Sequence, residues 1–570
     1  MKFDLQVSRK TFSELLRPNN PMEIPPFQRP YSWKPEQWGQ LWEDLTVRLD
    51  QDYLMGGIVL CGTDNGNDFV IDGQQRLSTI SLLIAVCRDY LWRECGSDKA
   101  KQSAIGIHNQ YIVSGGVDAE KNEPFLVLGE LDRDWFAEKI QVSPAADGEY
   151  YPPDVAQVKN KIPGSSRLLW RAYQFFHKQI VRRHSTNAAF LTIDSKIEDV
   201  KRITRHLGTR NWFVVTRVPD DTQAYTLFEV LNDRGLELSI SDLIKNVILA
   251  RASEIERLPK AKEHWSNIVE ALDYENIAAF LRYFWMSHNG KKTTEDKLFE
   301  TLKNDIKKMN ASTLITFLKG LSEEAENFAE IIGRSEINED ITRELELINS
   351  YGFRVGNSLF LAVWACAKDE DVRLDVLREV KNFLVKFAVF ANQVTNELEI
   401  VMADLSAAVR KDLKSGLELM RAKFKKSLPS NKTIEDGFLK LEPSSAVARA
   451  ILTEIEISLT GTEKLASGPS KVNVEHIFPQ SASDKWKESF GANDEEESYV
   501  ARLGNLTLLD AKLNRQASNK PYSDKQKTYY VKSDFTITKQ LPKGNHWTIK
   551  SVEDRQAELF KSAKEIWQIG

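Results

Sequence analysis

Val472-Asn473-Val474-Glu475-His476-Ile477-Phe478-Pro479 is answered downstream by Leu503-Gly504-Asn505-Leu506-Thr507-Leu508-Leu509 and then by Asn514-Arg515. The first stretch reads as a short apolar strand ending in an acid and a histidine. The second reads as another apolar strand, and the polar segment after it can start a helix. An acid beside a histidine is common on any protein surface; the strand–strand–helix order gives this pair its interest. His476 is a candidate general base, because a neutral imidazole is accessible near neutral pH. Glu475 and Asn514 offer oxygen donors suited to Mg2+ or Mn2+. Asn505 on the second strand either orients the imidazole or shapes the loop.

Outward from this stretch, residues 501–550 carry Lys or Arg at 502, 512, 515, 520, 525, 527, 532, 539, 543 and 550, against Asp at 510, 524 and 534. The excess of positive charge is read as a phosphate-contacting face, with Arg515 and Lys520 positioning a nucleic-acid backbone. A solvated helix face is the plainer alternative. Asn519 is a substitute for Asn514 as ligand, and His546, far along and next to Trp547, is read as structural. The run Asp494-Glu495-Glu496-Glu497 falls in an insertion between the two strands.

The chain has 570 residues, 42% of them hydrophobic, a length that suits several domains with a sizeable core. Its net charge of −5 announces no global basic field, but a modular protein can carry a local one. Cys61, Cys87, Cys95 and Cys366 form no CxxC pair and suit free thiols in a reducing cytoplasm. The start, Met1-Lys2-Phe3-Asp4, does not read as a signal peptide, and no apolar run is long enough to span a membrane.

Near the N-terminus, Ile24-Pro25-Pro26-Phe27-Gln28-Arg29-Pro30-Tyr31-Ser32-Trp33 is too rich in proline for a helix and predicts a stiff extended loop. Its aromatics can wedge a core, or Phe27, Tyr31 and Trp33 beside Gln28 and Arg29 can form a platform that encloses a base. Trp38, Leu41, Trp42, Leu45 and Leu49 then recur at helical spacing. Strands are predicted at 54–60 and 69–71. The second runs into Asp72-Gly73-Gln74-Gln75-Arg76 and an apolar helix. Strand, glycine turn and helix N-terminus make an anion site, with Arg76 as a fork for phosphate oxygens. Asp72 and Gln75 also have the spacing of a capping box, which needs no ligand.

Residues 212–218 predict a strand. Residues 224–231 predict a helix closed by Asn232-Asp233-Arg234-Gly235, and Ser239 caps another helix. Residues 251–440 are helical by pattern. Asn289-Gly290-Lys291-Lys292-Thr293-Thr294 echoes a P-loop ending, but Trp285 stands where the upstream glycine belongs and a helix precedes it, so it is rejected.

Two resemblances follow from these motifs. The C-terminal pattern resembles the HNH, or His-Me finger, nucleases, in the variant with Asn in place of the final His. Glu475 departs from the Asp that many of them carry. Ile-Pro-x-Phe-Gln-Arg-x-Tyr-x-Trp at 24–33, Gly-Gly-Ile-Val at 56–59, Asp72-Gly73-Gln74-Gln75-Arg76 and the stretch 228–246 resemble the N-terminal domain of the GmrSD family of modification-dependent restriction enzymes. That resemblance implies a ParB/sulfiredoxin-like α/β domain that binds and hydrolyses a nucleoside triphosphate (GTP, UTP, CTP or ATP) at Asp72, Gly73, Gln74, Gln75 and Arg76. Asn232 and Arg234 would complete the site. It also implies a modification sensor at Phe27, Gln28, Arg29, Tyr31 and Trp33, and a C-terminal nuclease.

The expected protein is a multidomain α+β chain: a nucleotide-binding and DNA-sensing domain over 1–250, a helical transmission region over 251–440, and a ββα-metal nuclease over 441–570. It would be a cytoplasmic, nucleotide-regulated, divalent-metal-dependent endonuclease defending against modified phage DNA, and a homo-oligomer is compatible with it. The alternatives are a nucleotide-controlled DNA-binding protein with an inactive nuclease domain, and an RNA nuclease.

Overall fold

The computed structural model describes residues 6–570 except 19, 26–27, 63–66, 115–122, 145–163, 220–238, 336, 462–471, 484–485, 487–489 and 491–498. The chain divides into two compact units, Met1–Leu281 with Glu295–Ala325, and Arg282–Thr294 with Glu326–Gly570. The residues 251–440, expected as a helical region, are shared between the two units. Their first helices belong to the first unit and the rest share a unit with the C-terminal module.

The first unit is built on a mixed sheet. Its strands, in chain order, are β1 (Gln6–Thr11), β2 (Met22–Glu23), β3 (Tyr53–Gly62), β4 (Asp68–Asp72), β7 (Leu126–Val127) and β8 (Asn211–Val218), while β5 (Val113–Ser114) and β6 (Glu123–Pro124) pair separately. Across the main sheet the order is β1-β8-β3-β4-β2-β7. β3 runs parallel to β8, with Ile58 opposite Val215, and antiparallel to β4. The bulge between Val59 and Leu60 re-aims the end of β4.

The helix Gln74–Tyr90 leaves β4 directly and is buried almost throughout, because helices Pro35–Val47, Gly164–Thr186 and Ile193–Thr209 pack around the same core. Of the expected apolar stripe, Trp38, Leu41, Trp42 and Leu45 are buried on the helix Pro35–Val47, while Leu49 lies past its end. On the other face of the sheet Val59, Cys61, Ile71 and Val218 make a small second cluster.

In the second unit β9 (Val472–His476) pairs antiparallel with β10 (Leu506–Asp510), with His476 opposite Leu506 and Val474 opposite Leu508. The helix Ala511–Ala517 follows at once. The strand–strand–helix order read from the sequence is thus in place. Helix Ser445–Thr460 joins this module to the helices before it. Its Glu454 accepts from Tyr351 Oη at 2.7 Å and pairs with Lys381. Its Glu456 accepts the backbone N–H groups of Thr536 and Ile537 at 2.7 and 2.8 Å. Among the described residues no helix is long and apolar enough to cross a membrane.

Candidate active site

The end of β9 sets the chemistry of the second unit. Side chains alternate along a strand, so Glu475 and His476 leave opposite faces. His476 is half-buried, and its Nε2 lies 3.3 Å from Nε2 of Gln480, the residue after Pro479. Burial first, then the Lys525 ammonium, holds the imidazole below its ordinary value. The neutral form that a general base needs is therefore favoured at neutral pH.

Glu475 turns inward and its side chain is 6% exposed. Lys525 Nζ donates to Glu475 Oε1 at 2.7 Å, and Tyr530 Oη donates to the same oxygen at 3.0 Å. Burial raises the Glu475 carboxyl and lowers the Lys525 ammonium, and each partner opposes that shift in the other. Asn514 is half-buried with its Nδ2 3.5 Å from the Val474 carbonyl.

Of the expected metal pair, Glu475 is thus already engaged by protein donors. One carboxylate oxygen already serves an ammonium and a phenol, and no cluster of three His, Cys, Asp or Glu side chains suited to a metal ion occurs among the described residues. With the Lys525 ammonium on its carboxylate, Glu475 does not fit a divalent cation.

Asn505 is also not at the imidazole. It is fully buried, and its Oδ1 accepts from the Phe478 N–H and from Trp547 Nε1. Its Nδ2 donates to the Phe478 and Val500 carbonyls, both at 3.0 Å. Of the two roles read for it, the geometry is that of a loop former. Trp547 accounts for its neighbour too: His546 is exposed while Trp547 is completely buried.

Arg515 and Lys520 are exposed on and after the short helix, where a phosphate can reach them. Asn519 pins the loop after Pro479 through the Ser481 carbonyl at 2.9 Å. Lys525 leaves the basic face altogether, since its side chain is fully buried. The acidic run at 494–497, Asn232 and Arg234, and Phe27 lie outside the described residues.

The second constellation is in the first unit, where β4 meets the Gln74–Tyr90 helix. The capping box read at Asp72 and Gln75 is absent. Gly73 is the N-cap, at φ 92°, and no side chain caps the helix. A Cβ at Gly73 would stand 3.0 Å from Ile58 Cγ1 and 3.3 Å from the Gly57 carbonyl, so both the turn and the close approach require glycine. Arg76 donates to the Gly57 carbonyl and lies 3.9 Å from Asp72. Gln74 is buried, and its Oε1 has no hydrogen-bond partner among the described residues. An uncapped helix N-terminus, an orphaned buried amide oxygen and a guanidinium fit a phosphate-bearing ligand.

Gln75 does not join them. Its Oε1 accepts from the Ser32 N–H at 2.8 Å and its Nε2 donates to the Pro30 carbonyl at 3.1 Å, so it brackets the proline-rich loop. The same loop corrects the expected aromatic platform. Tyr31 is buried, with its hydroxyl against Thr79 and Trp38 Nε1, and burial lifts the phenol far above its ordinary range. Gln28 is buried between the Ile71 carbonyl and Lys245 Nζ. Trp33 packs partly against the main core. Only Arg29 of the described loop candidates keeps a charged end near solvent, 3.9 Å from Asp242.

Sequence reading missed Lys245. Its fully buried ammonium sits 3.1 Å from Gln28 Oε1 and 3.6 Å from Asp242, and it feels the charges of Arg29 and Asp72. The turn of polar residues around Ser239 gave only a helix cap, which is present, with Ser239 Oγ accepting from the Asp242 N–H. Lys525, Tyr530 and Gln480 were missed as well. Lys525 and Tyr530 sat inside a run that reads as a solvated basic helix.

Two family matches complete the picture. Residues 12–249 match the N-terminal domain of GmrSD restriction endonucleases, and residues 429–562 match their C-terminal domain. With both domains in order, the chain belongs to the GmrSD restriction endonuclease family. It is a restriction endonuclease by family, and its macromolecular partner is DNA. No curated protein matches the chain.

Proposed function

We propose that the chain is a nucleotide-regulated endonuclease that cuts phage DNA carrying modified bases, with His476 as the general base. One observation carries the catalytic assignment. His476 closes β9 half-buried beside Gln480, under conditions that keep its imidazole neutral. In this reading the imidazole takes a proton from the water that attacks phosphorus. Arg515 and Lys520 hold the DNA backbone from the exposed side of the following helix.

Mg2+ or Mn2+ remains part of the reading as a cofactor, but no step is assigned to it, because Glu475 already carries the Lys525 ammonium. A nucleoside triphosphate would be held by the N-terminus of the Gln74–Tyr90 helix, with Gln74 and Arg76 meeting phosphate oxygens and Gly73 giving them access. Its phosphate hydrolysis would supply the regulatory energy. Of the proposed modification sensor, Arg29 would meet the ligand, since its charged end stays near solvent.

The test is cleavage of modified phage DNA against matched unmodified DNA, with and without each triphosphate and each metal, using wild type, His476→Ala and Arg76→Ala. Cutting of modified DNA that disappears in His476→Ala and changes with nucleotide only when Arg76 is present supports the reading. Equal cutting of both DNAs removes the sensor. Binding without cutting in wild type, under every condition, leaves a DNA-binding protein instead.

A further inference from the structure

Lys525 is a cation that nothing on the surface explains. Its side chain is fully buried, yet each of its ammonium hydrogens has an acceptor: Glu475 Oε1 at 2.7 Å, the His476 carbonyl at 3.0 Å and the Ile477 carbonyl at 3.2 Å. An ammonium has three donors, so none is left for a phosphate. Two of the acceptors are the backbone of the candidate base and of the residue after it. The third is the carboxylate expected to bind metal. Tyr530 Oη donates to the same carboxylate oxygen.

We infer that Lys525 is a positioning residue of the nuclease site, and that Glu475 is its counter-charge and not a metal ligand. The inference rests on His476 being the base. The ammonium ties the strand end at His476 and Ile477 to the segment Lys525–Tyr529, and Glu475 makes burial of that charge tolerable. Charge arithmetic favours this division of roles. A divalent cation on the Glu475 carboxylate would stand beside a buried ammonium of like sign, where repulsion is weakly screened. Displacing the ammonium would leave it buried and unpaired.

A double-mutant cycle on the full chain separates the two roles. Lys525→Met, Glu475→Gln, the double variant and Lys525→Arg are compared by thermal melting and by cleavage well below each melting temperature. Removing one partner strands a buried group, so each single variant should melt lower than wild type, and the double variant should melt above the sum of the two losses. Lys525→Met should lower kcat by about tenfold or more while KM for DNA stays within about twofold, the signature of a misplaced base and not of lost binding. Lys525→Arg should recover part of that kcat, since a guanidinium still donates to the two carbonyls. The metal concentration giving half-maximal cleavage should be the same in Glu475→Gln as in wild type.

Strictly additive melting losses, an unchanged kcat in Lys525→Met, or a raised metal requirement confined to Glu475→Gln would each overturn the inference. A wild type that cuts nothing overturns the nuclease reading alone. The melting cycle then still decides whether Glu475 and Lys525 are partners.

Discussion

Asn505 and Phe478 are bonded to each other twice: the Phe478 N–H donates to Asn505 Oδ1 at 2.8 Å, and Asn505 Nδ2 donates back to the Phe478 carbonyl at 3.0 Å. One side-chain amide thus acts as a missing strand partner two residues past His476. Asn505→Ala leaves buried backbone groups and Trp547 Nε1 unpaired, at a cost of about 2–4 kcal/mol. Urea unfolding should show that loss. Wild-type stability together with lost cutting would instead return Asn505 to a role at the imidazole.

His476→Ala removes the base without disturbing a core side chain. Cleavage should fall by about 10²–10⁴-fold while DNA affinity stays near wild type. Parallel gel-shift and cleavage assays check this. Loss of both in step would point to a binding residue.

Gly73→Ala places a side chain at φ 92° and within 3.0 Å of Ile58. The strain should cost about 1–3 kcal/mol and fall on the turn that opens the phosphate cradle. Arg76→Ala carries no such backbone strain, so it should weaken triphosphate binding with little change in melting temperature. Calorimetric titration of both variants separates the two effects. Unchanged triphosphate affinity in Arg76→Ala would count against the cradle.

His108 gives the first unit an acid limit. Its Nδ1 lies 3.0 Å from Arg88 NH1, and burial, then the Arg88 charge, push its pKa from 6.5 to about 4, with Asp89 opposing. The folded value lies below the unfolded one, so the unfolded chain binds a proton that the folded chain refuses. Stability should be unaffected above about pH 6.5 and fall as pH drops toward 4, by on the order of 3 kcal/mol in total. Denaturant melts across that window should show the slope, and His108→Gln should flatten it. An equal slope in the variant would assign the loss to other groups.

Much of this was legible in the sequence. The alternation of 472–476 and 506–510, the stripe of Trp38, Leu41, Trp42 and Leu45, and the strand before Asp72-Gly73 are local signals, and local signals survive into the structure. What failed was direction. A sequence places Glu475 beside His476, but strand alternation parts them, and only a lysine fifty positions away decides what the carboxylate does. Tyr31 and Gln28 show the same limit: their partners Thr79, Ile71 and Lys245 are remote in the chain. Gln75, read as a cap or a ligand, turned out to be a bracket, because capping depends on a backbone angle at Gly73 that residue types alone do not state.

The helix Ser445–Thr460 carries a consequence for inheritance. With Glu454 committed to Tyr351 and Lys381 and Glu456 to the N–H groups of Thr536 and Ile537, two carboxylates in one turn read two halves of the same unit. A recombination event joining the last 130 or so residues to a foreign partner would take from Glu454 both its partners, Tyr351 and Lys381. The C-terminal module should therefore exchange stably only together with the helices that precede it, so its unit of shuffling should begin well upstream of its first strand.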